Sequence, residues 1–255
     1  MQTLLPILGL AVLADGLVRF VFLFFARQRN DKEWVAVQAM SMKGHVILCG
    51  AGRIGFRVLE QLQKLGVDVV VVERNEHAPF VQAIRNQCVP ILIDDVRDPK
   101  ALEATNVRLA CAVVCATDDD LANLNIALDA RRVNPTVRVV MRLFDDDLVA
   151  KVRESFGLEA LSTSALAAPA FAVAALHRNV HTSFDLDGRT MVVWDLVVGR
   201  DLAGLTTARV HDELGMTILR LRGRETKTTD VLAEGDEAVV QSPIEDYRKY
   251  HAKGG

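Results

Sequence analysis

Residues 45–73 read HVILCGAGRIGFRVLEQLQKLGVDVVVVE, and this stretch decides the fold. It opens on an apolar run, His45–Cys49, that suits a buried strand. The turn Gly50-Ala51-Gly52-Arg53-Ile54-Gly55 follows at once. Ile54, Val58, Leu62 and Leu65 then recur at spacings of four, four and three, which predicts a helix closed by Gly66. Val67–Val72 is a second apolar run with almost no alternation, as in a parallel strand covered on both faces, and it ends in Glu73. Strand, glycine turn, helix and strand make the first crossover of a doubly wound sheet.

The spacing carries chemistry. Gly50 permits the tight turn, Gly52 lets the backbone approach a pyrophosphate, and Gly55 lets the helix pack close to the sheet. Free N–H groups at the helix start, together with its dipole, face the phosphates. Glu73 lies 21 residues beyond Gly52, placed to accept hydrogen bonds from a ribose diol. A carboxylate there repels a 2′-phosphate, which favours NAD over NADP. Ala51 and Ile54 complete the turn, and Arg53 is placed to add charge beside the phosphates. Two blander readings stand beside these: a Rossmann turn without its ligand, and Arg53 as an ordinary exposed first-turn residue.

The alternation continues outward. Helices are expected at Phe80–Asn86, Pro99–Thr105, Leu121–Arg132 and Asp146–Phe156. Strands are expected at Val89–Ile93, Ala110–Ala116, Val137–Leu143 and Leu158–Leu161. Ligands of such sheets collect at the carboxyl ends of the strands. Arg74, Asp94, Asp95, Thr117, Asp118 and Arg142 therefore join the turn and Glu73 as candidate pocket residues.

Composition excludes several classes. Half of the 255 residues are apolar, a quarter are charged, and 30 basic groups face 33 acidic ones, so no global basic field exists to hold nucleic acid. No two of the four cysteines are spaced C-x-x-C. Cys111 and Cys115 are expected on one strand as core residues. Asp118–Asp120 and Asp145–Asp147 sit where helices begin, so helix capping is the first reading and a divalent-ion site the second. His177 and His181 have helix-turn spacing but no third ligand type nearby.

Thr3–Phe25 is a 23-residue run charged only at Asp15 and Arg19. As a helix it spans roughly 34 Å, enough for a hydrocarbon core of about 30 Å. Arg27, Arg29 and Lys32 follow it, which orients the rest of the chain to the cytoplasm. A helix lying on the membrane or against a partner is the alternative, because Asp15 falls near mid-span. The alanine-rich stretch Ala165–Ala175, with Pro169 inside, reads as a helix that another helix approaches closely. Polar residues 177–189 read as a linker.

The segments GHVILCGAGRIG, VVVVERN, DDVRDPKALEATNV, CATDDDLANLNIAL, NPTVRVVMRLFD and LSTSALAAPAF resemble the N-terminal domain of the RCK, or Trk/Ktr, regulators of potassium conductance. Asp94 stands where that family usually has glycine. WDLVVGRDLAGLTTARV, Met216–Arg222 and AEGDEAVVQSP resemble the small TrkA-C type domain that follows it. The resemblance implies an α/β Rossmann domain at 43–176 and a smaller α+β domain at 190–250, preceded by a transmembrane helix and linker at 1–42. It also implies a non-enzymatic module that binds NAD(H), or ATP or ADP, and gates a potassium channel or transporter pore. Family members assemble as dimers and octameric rings. No filter sequence of the T-V-G-Y-G kind occurs, so this chain alone does not conduct selectively. A nicotinamide-dependent oxidoreductase is the rival reading, disfavoured because the only tyrosines, Tyr247 and Tyr250, lie at the extreme end and no Y-x-x-x-K pair appears.

Overall fold

The computed structural model describes residues 32–253 together with Asp15, Leu17 and Val18. The expected span Thr3–Phe25 otherwise lies outside the described residues, and among those described no helix is long and apolar enough to cross a membrane. The chain separates into two compact units that meet between Leu161 and Ser162.

From Lys32 on, the first unit carries helix α1 (Lys32–Ser41) and then alternates β1 (Val46–Cys49), α2 (Arg53–Lys64), β2 (Val69–Glu73), α3 (Val81–Asn86), β3 (Ile91–Ile93), α4 (Pro99–Ala104), β4 (Ala112–Cys115), α5 (Asp120–Val133), β5 (Arg138–Leu143), α6 (Asp146–Phe156) and β6 (Glu159–Ser162). The strand order is β3-β2-β1-β4-β5-β6, and β1 to β5 pair in parallel. That order reverses between β1 and β4, which is the switch point where a doubly wound sheet takes its ligand. The near-continuous apolar runs are explained by burial on both faces. Ile47, Cys49, Val72, Val113 and Met141 feed one apolar cluster, while Leu48, Val69, Val71, Leu59 and Ile84 feed the other. Phe56 of α2 stacks on Phe80 with ring centres 4.6 Å apart, tying the helix after the turn to the loop after β2.

The second unit carries α7 (Thr163–Leu176), β7 (Val180–Leu186), β8 (Arg189–Val197), α8 (Thr207–Leu214), β9 (Thr217–Leu221), β10 (Arg224–Glu225), β11 (Glu237–Pro243) and α9 (Ile244–Lys253). Its five-stranded antiparallel sheet has the order β10-β9-β11-β8-β7. Trp194 is fully buried at its centre, and its indole N–H donates to Ser242 Oγ at 3.2 Å.

Two expectations are corrected. Residues 177–189 are not a linker: Val180–Leu186 is an edge strand that pairs with β8 through a turn at Asp187-Gly188, both in the left-handed region. Its polar character belongs to an edge, where charged and hydroxyl side chains discourage further pairing. Cys111 is exposed and precedes β4 rather than joining the core. Cys115 lies opposite Cys49 on the neighbouring strand, both fully buried.

Candidate functional site

A cleft of about 630 Å³ opens at the carboxyl ends of β1, β2, β4 and β5 and beside the loop after β3. Gly50, Gly52, Arg53, Ile54, Glu73, Arg74, Asp95, Thr117, Asp118 and Arg142 line it. The other three expected residues serve the wall from behind. Ala51 is buried, Gly55 packs under the turn, and Asp94 faces Lys32 of α1, with Nζ 3.1 Å from Oδ2.

The turn explains itself residue by residue. Gly50 has φ +109°, and a Cβ there would lie 3.0 Å from the Ala116 carbonyl oxygen. At Gly55 a Cβ would overlap the Gly50 carbonyl oxygen, so α2 reaches the sheet only without a side chain. Gly52 differs: nothing lies within 4 Å of the position a Cβ would take. That open space sits at the N-cap of α2, in front of N–H groups that no side chain caps.

Glu73 does more than face the cleft. Its Oε2 accepts the Ala51 N–H at 2.6 Å and its Oε1 accepts the Asn75 N–H at 2.8 Å, so one carboxylate ties the end of β2 to the glycine turn. On the β3 side, Arg97 grips Asp95 with Nη2 at 2.6 Å and Nε at 3.0 Å. That guanidinium holds the Asp95 carboxyl at about 2, well below its usual value, against a smaller opposing effect of desolvation.

On the β4 side Asn123, fully buried on α5, organises the strand ends. Its Oδ1 accepts from the Thr117 N–H at 3.1 Å and the Thr117 hydroxyl at 2.7 Å. Its Nδ2 donates to the Thr117 and Arg142 carbonyls at 3.2 and 3.0 Å. Arg142 donates from Nη1 to the Thr117 carbonyl at 3.2 Å and lies 3.9 Å over the Phe144 ring, while its buried Nε has no hydrogen-bond partner. The acidic triplets cap helices. Asp119 accepts from the Ala122 N–H, and Asp145 accepts from the Asp147 and Leu148 N–H groups. Among the described residues no group of three potential ligands is placed to hold a metal ion.

Comparison with known proteins follows this geometry closely. Residues 46–162 match the model of the TrkA-N domain family. This stretch resembles a TrkA-N domain. Among curated proteins, the chain is 31% identical over 102 residues to a Trk system potassium uptake protein TrkA homolog of Pyrococcus horikoshii, covering 40% of this chain and 44% of that protein. It is 26% identical over 206 residues to a putative K(+) efflux antiporter KefB of Alkalimonas amylolytica, covering 81% of this chain and 30% of that protein. The chain therefore spans less than half the length of either. Among solved structures, the GsuK channel aligns with a TM-score of 0.55 at 17% identity over 82% of this chain and 39% of that chain. The GsuK channel bound to NAD aligns with a TM-score of 0.51, also at 17% identity, over 81% and 38%. At that identity the likeness is one of fold.

Within residues 46–162, three residues that shape the cleft were not anticipated: Asn75, Arg97 and Asn123. The first two occupy loops at the carboxyl ends of β2 and β3, so strand-end position alone would have found them. Asn123 had a sharper signal. It shares the buried stripe Asn123, Ile126, Ala127, Ala130 of α5, and a polar residue inside an apolar stripe has a partner to satisfy. The cleft as a whole offers free N–H groups at one helix start, the guanidinium groups of Arg53 and Arg142, and a fixed carboxylate at the end of β2. That set has the chemistry a diphosphate flanked by a ribose would need. No histidine, cysteine, lysine or tyrosine lines it among the described residues.

Proposed function

We propose that this chain is a nucleotide-sensing regulatory module for potassium transport, which binds NAD(H) or an adenine nucleotide in the TrkA-N cleft. The observation that carries the reading is the open space at Gly52, at the uncapped start of α2, beside the Glu73 carboxylate that lines the same cleft. The turn residues and Arg53 would hold the diphosphate. Glu73 would hold the ribose hydroxyls through lone pairs left free by its two backbone bonds. Thr117, Asp118 and Arg142 would meet whatever extends past the switch point. In this reading the nucleotide acts as an allosteric ligand and not as a substrate.

The likeness to potassium uptake and efflux proteins supports a pore-forming partner in the membrane, with residues 32–253 on its cytoplasmic side. Self-association fits α7, an apolar helix of which only Val173 is buried, while Leu166 and Phe171 are 61% and 77% exposed. A dimer, extended to an octameric ring, would cover that face.

Calorimetric titration of the full chain with NAD+, NADH, ATP, ADP and AMP tests the reading. Saturable binding of at least one is expected, and it should disappear in Gly52→Asp. Aspartate is a favourable N-cap and nothing obstructs it, so this variant keeps its fold while placing a negative charge where the diphosphate docks. Equal affinity in wild type and Gly52→Asp for every nucleotide that binds would sink the proposal, as would sustained NADH oxidation with a carbonyl substrate.

A further inference from the structure

The β3 side of the cleft is joined to α1 by a continuous set of contacts. Asp95, Val96 and Arg97 line the cleft, and Asp98 then caps α4 by accepting the Lys100 N–H at 2.9 Å. Helix α4 is a rod of about 9 Å. At its far end stands Asn106, almost buried and in the left-handed region at φ +56°. Its Nδ2 donates to the carbonyls of Ala39, Met40 and Met42 at 3.4, 3.3 and 3.1 Å. These include the carbonyls a helix leaves unpaired at its C-terminus, so a side chain from 64 to 67 residues away closes α1.

The joint is reinforced around that clamp. His45 Nε2 bonds the Thr105 carbonyl at 2.8 Å, and the Gly44 N–H donates to the Leu109 carbonyl at 2.8 Å. Val35 of α1 shares one apolar cluster with Leu92, Val96, Ala101 and Leu102, and Ala39 is fully buried. At the other end of α1, Lys32 meets Asp94, the residue immediately before the cleft. Each contact of α1 just named is therefore to β3, α4 or the loops flanking them.

We propose that residues 94–106 are a lever between cleft and helix, with Asn106 the positioning residue that passes a ligand's contacts with Asp95 and Arg97 on to α1. The inference rests on the nucleotide-binding reading but makes a separate claim: that the β3–α4 segment, and not the glycine turn, sets the position of the helix leading back toward the N-terminus. The energetic logic is that Asp95 and Arg97 satisfy each other across the cleft wall. A ligand that engages either must rearrange the pair, and the capped α4 and its apolar seat move with it as a unit. Coupling of this kind is reciprocal, so releasing α1 also alters nucleotide affinity.

Hydrogen–deuterium exchange on the full chain, with and without NAD+, tests the lever. In wild type, saturating NAD+ should change exchange at amides 38–42 by about fivefold or more, the low end of ordinary coupling. In Asn106→Gly, which keeps the left-handed backbone and removes the clamp, that response should fall to none while amides 50–55 still respond. A persisting α1 response in Asn106→Gly, or a wild-type response confined to 50–55, overturns the lever and leaves nucleotide binding standing. If neither segment responds to NAD+, ATP, ADP or AMP, the nucleotide reading fails, and Arg97→Ala decides the lever without a ligand. Faster exchange at 38–42 in that variant supports it, and unchanged exchange overturns it.

Discussion

Gly52 and Gly55 stand three residues apart and answer to different constraints. At Gly55 a methyl group would collide with the Gly50 carbonyl, so Gly55→Ala should cost about 3 kcal/mol of stability, read as a lowered midpoint in chemical denaturation. At Gly52 the space is open, and Gly52→Ala should leave stability within roughly 1 kcal/mol while weakening nucleotide binding at least about tenfold. The spacing alone assigned ligand approach to Gly52 and helix packing to Gly55, but the severity of the clash, which depends on how near α2 lies to β1, came from tertiary geometry. Glu73 makes the same point. Its position announced a ribose contact, yet its bonds to the Ala51 and Asn75 N–H groups came from tertiary geometry. Glu73→Ala should therefore lose about 1–3 kcal/mol without any nucleotide, since the buried Ala51 N–H loses its acceptor. Thermal melts of nucleotide-free protein check this.

Asp95 adds a pH signature. Folding lowers its pKa from 3.8 to about 2, so its contribution to stability is fully present above the unfolded value and fades as pH falls through about 2. Its side chain is 35% exposed, which keeps the contribution small. Arg97→Ala should return the Asp95 titration toward the ordinary carboxylate value, visible by NMR of the carboxyl carbon.

Among the elements, α5 shows how one buried polar group sets the ends of two strands. Asn123→Ala would strand the Thr117 N–H and free the Arg142 carbonyl, at a cost of about 2–4 kcal/mol, with binding weakened in proportion to the disorder at Thr117. Calorimetric melting beside nucleotide titration separates the two effects. Strong periodicity made α2, α5 and the buried strands legible to within a residue or two. Strand β7 was not, because an edge strand carries the polar residues that also mark loops, and only the Asp187-Gly188 turn betrayed it. Cys111 was misplaced because the apolar run 110–116 extends past the hydrogen-bonded strand at both ends.

For the molecule as a whole, the division at Leu161/Ser162 gives each unit its own apolar core. Exposure on α7 is the feature that neither core accounts for. Phe171→Glu should lower the sedimentation coefficient of the full chain toward that of a smaller species, with secondary structure unchanged, if α7 is the self-association face. Unaltered sedimentation of a wild-type assembly would place that interface elsewhere.

The collision between Gly55 and the Gly50 carbonyl also governs how this chain can change over generations. A side chain at position 55 demands that the backbone at position 50 retreat, and position 50 is itself hemmed in by the Ala116 carbonyl. No single replacement at 55 relieves both, so its neighbourhood is a mutational dead end, whereas Gly52 beside it stays open to substitution. Drift toward a chain that has forgotten its ligand would start at Gly52, and the fold would outlive the function.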